Sequence, residues 1–155
     1  MTFEGRVSPP RKGERYWEVK IPDLGAFTQG KTEKDAYAMA ADAIETVVDQ
    51  KRFHVEIQPV GEGRFLVSAK NPAPLIGRWL QRLRTKNGLT VRQAAKRLGS
   101  VSPEAWSRYE SGRASPTMDK LAQLLRAIAP GIQFGWKRFR AKHQGQRVIR
   151  IPTVP

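Results

Sequence analysis

The chain has no cysteine among its 155 residues, so a disulfide, a thiolate nucleophile and a cysteine-held metal are excluded. A reducing cytoplasm is the expected setting. Histidine is scarce as well: His54 and His143 stand too far apart in sequence to suggest a ligand pair or an acid–base couple, and both read as surface residues. No apolar run approaches the ~20 residues of a membrane span. The opening MTFEGRVSPPRKGER also lacks the apolar core of a signal peptide, so no membrane partner is expected. Acidic side chains are missing from residues 132–155, which hold six Lys or Arg.

That acid-free end belongs to a wider asymmetry. Residues 1–74 balance 11 basic against 11 acidic side chains, whereas residues 75–131 hold 11 against 3. Positive charge confined to one half is the electrostatic footprint of a polyanion partner. The length allows two small domains, each marginal in the area it buries and therefore expected to gain from homo-oligomerisation. The expected divisions are a domain over 1–70, a linker over 71–74 (Asn71-Pro72-Ala73-Pro74), a second domain over 75–131 and a basic tail over 132–155. The tail interleaves Phe134, Trp136 and Phe139 with Lys137, Arg138 and Arg140. Two readings of it stand: aromatic packing onto the preceding domain, or stacking on single-stranded bases.

Residues 88–112 carry the sharpest local pattern. Thr90 is placed to cap an amphipathic helix in which Val91, Ala94, Ala95 and Leu98 recur at helical spacing, and Gly99 stops it. Ser102 and Pro103 restart a helix with a capping hydroxyl and a proline at the first helical position. This second helix is expected to run to about Glu110 and to end at Gly112, with Ala105, Trp106 and Tyr109 inward and Glu104, Ser107, Arg108 and Ser111 outward. Two short helices across a tight turn in basic surroundings are the sequence form of a DNA-binding helix-turn-helix. Outward side chains near the start of such a helix read base edges: Arg pairs with guanine and Glu accepts from cytosine. The competing reading of Glu104 and Arg108 is an exposed ion pair at i, i+4. Arg78, Arg92, Lys96, Arg97, Arg113 and Lys120 surround the helix as candidate phosphate contacts.

With LIGRWLQRLR, GLTVRQAAKRLG, SPEAWSRYESG and SPTMDKLAQLLRAI as successive helices, Leu75 to Ile128 resembles the five-helix DNA-binding domain of Xre/Cro-type repressors. The resemblance implies operator DNA as a partner. It points to Pro103, Glu104, Ser107 and Arg108 as base-reading positions and to Thr90, Arg92, Lys96, Ser102 and Arg113 as phosphate contacts. Where family members carry Gln at the start of the second helix, this chain has Val91, and the turn holds one extra residue, placed at Ser100.

The first half reads as strands around one helix. Trp17, Val19 and Ile21 alternate with polar residues, Pro22, Asp23 and Gly25 make a turn, and AFTQG makes a second strand. Thr32 caps a helix, with Asp35 three residues on, whose stripe is Ala36, Ala40, Ala43, Ile44, Val47 and Val48; Asp42, Glu45 and Asp49 are expected to face solvent. Phe53, Val55 and Ile57, then Phe65, Val67 and Ala69 after a Gly61-Glu62-Gly63 turn, start two further strands. The fold class expected is therefore α+β, a small antiparallel sheet with one helix, followed by an all-α helix-turn-helix domain.

The strand ending in Pro22-Asp23-Leu24, the Thr28-Gln29-Gly30 step, Thr32 and the alanine-rich helix make residues 5–50 similar to the HicB antitoxin domain, a fold similar to part of ribonuclease H. That resemblance implies an antitoxin of a type II toxin–antitoxin system, which masks a small basic HicA-type ribonuclease toxin and represses its own operon. Asp42, Glu45 and Asp49 are the candidate toxin-facing residues. The alternatives are a stand-alone phage or chromosomal repressor whose first domain only oligomerises it, and a divergent nuclease. A metal-dependent nuclease needs several converging carboxylates. Asp23 is the one strand-end acid suggestively placed, and it reads better as a turn residue; no catalytic residue, metal or cofactor is expected.

Overall fold

A computed structural model of the chain describes residues 1–99 and 102–131. These fall into two compact units that divide after Lys70. The basic tail and Ser100 lie outside the described residues.

The first unit holds β1 (Phe3–Ser8), β2 (Trp17–Ile21), β3 (Ala26–Gly30), α1 (Glu33–Val48), β4 (Glu56–Gly61) and β5 (Arg64–Ser68). The strands form one antiparallel sheet in the order β3-β2-β1-β5-β4. Alternation in β2 buries Val19 and Ile21 completely and leaves Glu18 and Lys20 exposed. A four-residue turn, closed by Leu24 N–H donating to the Ile21 carbonyl at 3.2 Å, brings Ile21 opposite Ala26 and Trp17 opposite Gly30. The central strand β1 has no counterpart in the sequence reading. Its alternation is hidden because Gly5 sits between the buried Phe3 and Val7, and that gap is filled from outside: a Cβ on Gly5 would stand 2.2 Å from the Phe65 ring.

Helix α1 starts where expected, with the Asp35 N–H donating to Thr32 Oγ1 at 3.1 Å. The Asp35 carboxylate, however, accepts from Lys31 N–H rather than from the cap residue itself. The buried face is Ala36, Tyr37, Ala40, Ala41 and Ile44, while Ala43, Val47 and Val48 are only half-buried. The stripe is thus rotated from the expected one, because the helix lies on β3 with its first turn against Gly30. A Cβ there would come within 2.3 Å of the Ala36 backbone. Val55 precedes β4, and Ala69 follows β5.

Among the described residues the second unit holds α2 (Ala73–Lys86), α3 (Val91–Arg97), α4 (Pro103–Glu110) and α5 (Met118–Ile128), which cover the four successive helices read from the sequence. The linker expected at 71–74 is largely absorbed into α2. Pro72 is its N-cap, and Ala73 and Pro74 are buried in its first turn, where proline needs no amide partner. Trp79 and Leu80 of α2 and Leu121, Leu124, Leu125 and Ile128 of α5 are buried, as their spacing predicts, while Leu83 is half-buried. Trp106 of α4 is fully buried.

Candidate nucleic-acid interface

The α3–α4 pair is shaped by its caps. Gln93 N–H donates to Thr90 Oγ1 at 3.2 Å and Thr90 N–H donates to Gln93 Oε1 at 2.8 Å, a reciprocal capping box. Gly99 takes a φ of 93°, a conformation that few other residues adopt, and α3 ends there. Ala105 N–H donates to Ser102 Oγ at 3.1 Å, with Pro103 at the first position of α4. Both capping hydroxyls accept, so each keeps its own O–H free to donate to an outside oxygen such as a phosphate.

The outward residues fall as expected for the most part. Glu104, Ser107 and Arg108 of α4 are exposed on one side, while Pro103, Ala105 and Tyr109 are half-buried and Trp106 is enclosed. Arg92 and Lys96 are exposed on α3, Thr90 and Ser102 are exposed at the two caps, and Arg113 is exposed just beyond α4. Arg97 is exposed and Lys120 half-exposed. Arg78 departs from its expected place. It is half-buried along α2, its Nη1 donates to Gln81 Oε1 at 3.0 Å, and burial followed by the neighbouring Arg82 charge lowers its pKa.

What aims α4 is a network that sequence reading missed. Arg84 of α2 donates from Nε to Glu110 Oε1 at 2.6 Å and from Nη2 to Oε2 at 2.9 Å, and its Nη1 donates to the Leu89 carbonyl at 2.6 Å. The Trp106 indole N–H donates to the same carboxylate. The ion pair is almost wholly out of solvent, its side chains 11% and 8% exposed. Beside it the two helices touch: a Cβ on Gly77 would stand 2.4 Å from the Glu110 carbonyl oxygen. Two signals were present in the sequence. An acid in the last turn of a helix opposes the helix dipole and calls for a cation. A glycine inside a helix costs roughly 1 kcal/mol unless close packing requires it.

In the first unit, Asp42 and Asp49 are exposed, but Glu45 is not the free surface acid expected. Its Oε1 accepts from the Val55 N–H at 3.0 Å and its Oε2 lies 3.3 Å from His54 Nδ1, so it ties the segment before β4 to α1. Asp23 lies exposed in the β2–β3 turn. Among the described residues no three His, Asp or Glu side chains cluster as metal ligands would, and no helix is long and apolar enough to cross a membrane.

Residues 75–129 match the model of a family described as a helix-turn-helix domain. The match runs from the first turn of α2 through α5 and lies wholly within the second unit, so the resemblance drawn for residues 5–50 rests on sequence features alone. A comparison with curated proteins finds no match to the chain.

Proposed function

We propose, from a helix-turn-helix domain at residues 75–129, that the chain is a cytoplasmic transcriptional repressor, not an enzyme, that binds its operator as a homodimer with α4 in the major groove. One observation carries this reading. The inner face of α4 is clamped by Trp106 and Glu110, while Glu104, Ser107 and Arg108 stand outward beside exposed cations of α3 and the loop after α4. A rigid helix offering a donor, an acceptor and a hydroxyl suits base-edge recognition. One such helix contacts too few bases for an operator, which favours two half-sites related by a two-fold axis. The test is selection of sequences by the full chain from random duplex DNA. Enrichment of an inverted repeat supports the reading, and binding without enrichment overturns it.

A second reading, an antitoxin, gives residues 1–70 a protein target. It is supported by the separateness and zero charge balance of that unit through Lys70 (11 basic, 11 acidic), which add little to DNA affinity, and by the exposed acids Asp42 and Asp49 on α1. A small basic HicA-type ribonuclease would be steered to such a face. Co-expression of the full chain with the product of the adjacent reading frame should yield a stable complex. Changing Asp42 and Asp49 to Lys should slow its association and leave operator binding intact. A chain purified alone from that co-expression leaves the stand-alone repressor.

A further inference from the structure

We propose that β3 is the dimerisation edge of the first unit, pairing antiparallel with β3 of a second copy about a two-fold axis at Thr28. The inference rests on the homodimer reading above and gives it a surface.

The two ends of the sheet differ. At one end, β4 carries Glu56, Pro59 and a register shift between Pro59 and Gly61, three devices that block strand addition. At the other end, β3 reads AFTQG, with no charge, no proline and no irregularity in its five-residue register with β2. Among the described residues it is paired on one side only. An edge strand left so plain is an open template for another strand.

The outer face of the same strand presents an exposed aromatic beside Gln29. Phe27 is 58% exposed and Tyr16 43%, and both line an open groove of about 670 Å³ with Arg11, Arg15, Glu14 and Glu18. A second copy suits this edge better than an unrelated chain because the charges are self-complementary. Within one copy Lys20 stands opposite Phe27 and Glu18 opposite Gln29. With the axis at Thr28, Phe27 meets Gln29 of the second copy. Each cross-sheet row then runs Lys20, Phe27, Gln29, Glu18, cation at one end and anion at the other, and its mate runs the reverse way. Neither row brings like charges together.

The experiment uses the full chain without DNA. Sedimentation equilibrium should show a dimer that Phe27→Glu weakens at least tenfold. The double change F27E/Q29K should restore it, since the introduced carboxylate of one copy then meets the introduced ammonium of the other across the axis, while each finds an opposite charge, Lys20 or Glu18, within its own sheet. The absence of native cysteine makes single-cysteine probes clean. Thr28→Cys should cross-link two copies on mild oxidation, because directly opposed Cβ atoms lie ~5 Å apart, and Gln58→Cys on the β4 edge should not. Cross-linking decides the matter even if Phe27→Glu misfolds. A monomer at tens of micromolar, a dimer indifferent to Phe27→Glu, or cross-linking through Gln58→Cys but not Thr28→Cys overturns the proposal. An intact β3 dimer that selects no DNA sequence would instead overturn the repressor reading alone.

Discussion

Replacing Glu110 by Ala should do more damage than any single change on the outer face of α4. The carboxylate accepts from Arg84 Nε and Nη2 and from the Trp106 indole, and the ion pair is about nine-tenths out of water. Its removal leaves a guanidinium and an indole N–H without their acceptor. Breaking a buried pair from one side costs about 3–5 kcal/mol. A small domain shifts its melting temperature by roughly 4–8 °C per kcal/mol, so the expected fall is about 12–40 °C. The double change R84M/E110L tests the cause, because it removes both charges together. It should recover part of the loss, because no charge is left buried alone, although the Trp106 N–H and the Leu89 carbonyl then lack partners at about 1–3 kcal/mol each. Calorimetry and near-ultraviolet circular dichroism on the full chain read both variants. A fall below about 5 °C for Glu110→Ala, or a double variant no more stable than the single one, would refute the clamp.

Operator affinity should decline with salt at a log–log slope of roughly −4.5, from about five phosphate contacts spread over Arg92, Lys96, Arg97, Arg113 and Lys120; fluorescence anisotropy at several ionic strengths measures it, and a flat line contradicts it. Arg108→Ala should cost about 1–3 kcal/mol on the operator and relax preference at one base pair, whereas Arg113→Ala should weaken all sequences alike and reduce the salt slope by about one. Parallel titrations on operator and scrambled duplex separate the two. Burial, then the Glu33 charge and the hydrogen bond to Glu33, raise the pKa of Tyr37. The folded state therefore keeps the phenol proton where the unfolded chain has begun to lose it. Stability should be at its full value below about pH 10 and decline as the pH rises toward the folded value. Urea midpoints across the alkaline range should show that decline, and Tyr37→Phe should flatten it.

Much of this architecture was legible in local chemistry. The caps at Thr32, Thr90 and Ser102, the stop at Gly99 and the core spacing of α5 were each readable because one or two neighbouring residues determine them. The outward face of α4 followed from the enclosed Trp106. What stayed hidden depends on residues distant in the chain. Strand β1 is recognisable only once Phe65 is known to occupy the space above Gly5, and the α1 face was misjudged because Gly30 draws the helix down onto β3. The Arg84–Glu110 pair spans 26 residues, and no periodicity signals a contact of that kind. Glu45 reads as a surface acid because its partners, the His54 ring and the Val55 amide, lie nine and ten residues on, and a backbone amide leaves no trace in side-chain pattern.

The contact at Gly77 also bears on how such a protein tolerates change. Because α4 is seated from its far end, by Glu110 on Arg84 and by its own carbonyls against Gly77, the seat does not depend on the length of the turn that leads into the helix. The outward side chains Glu104, Ser107 and Arg108 touch no part of that seat, so they can be exchanged one at a time, as type is changed in a fixed press, without moving the helix that carries them.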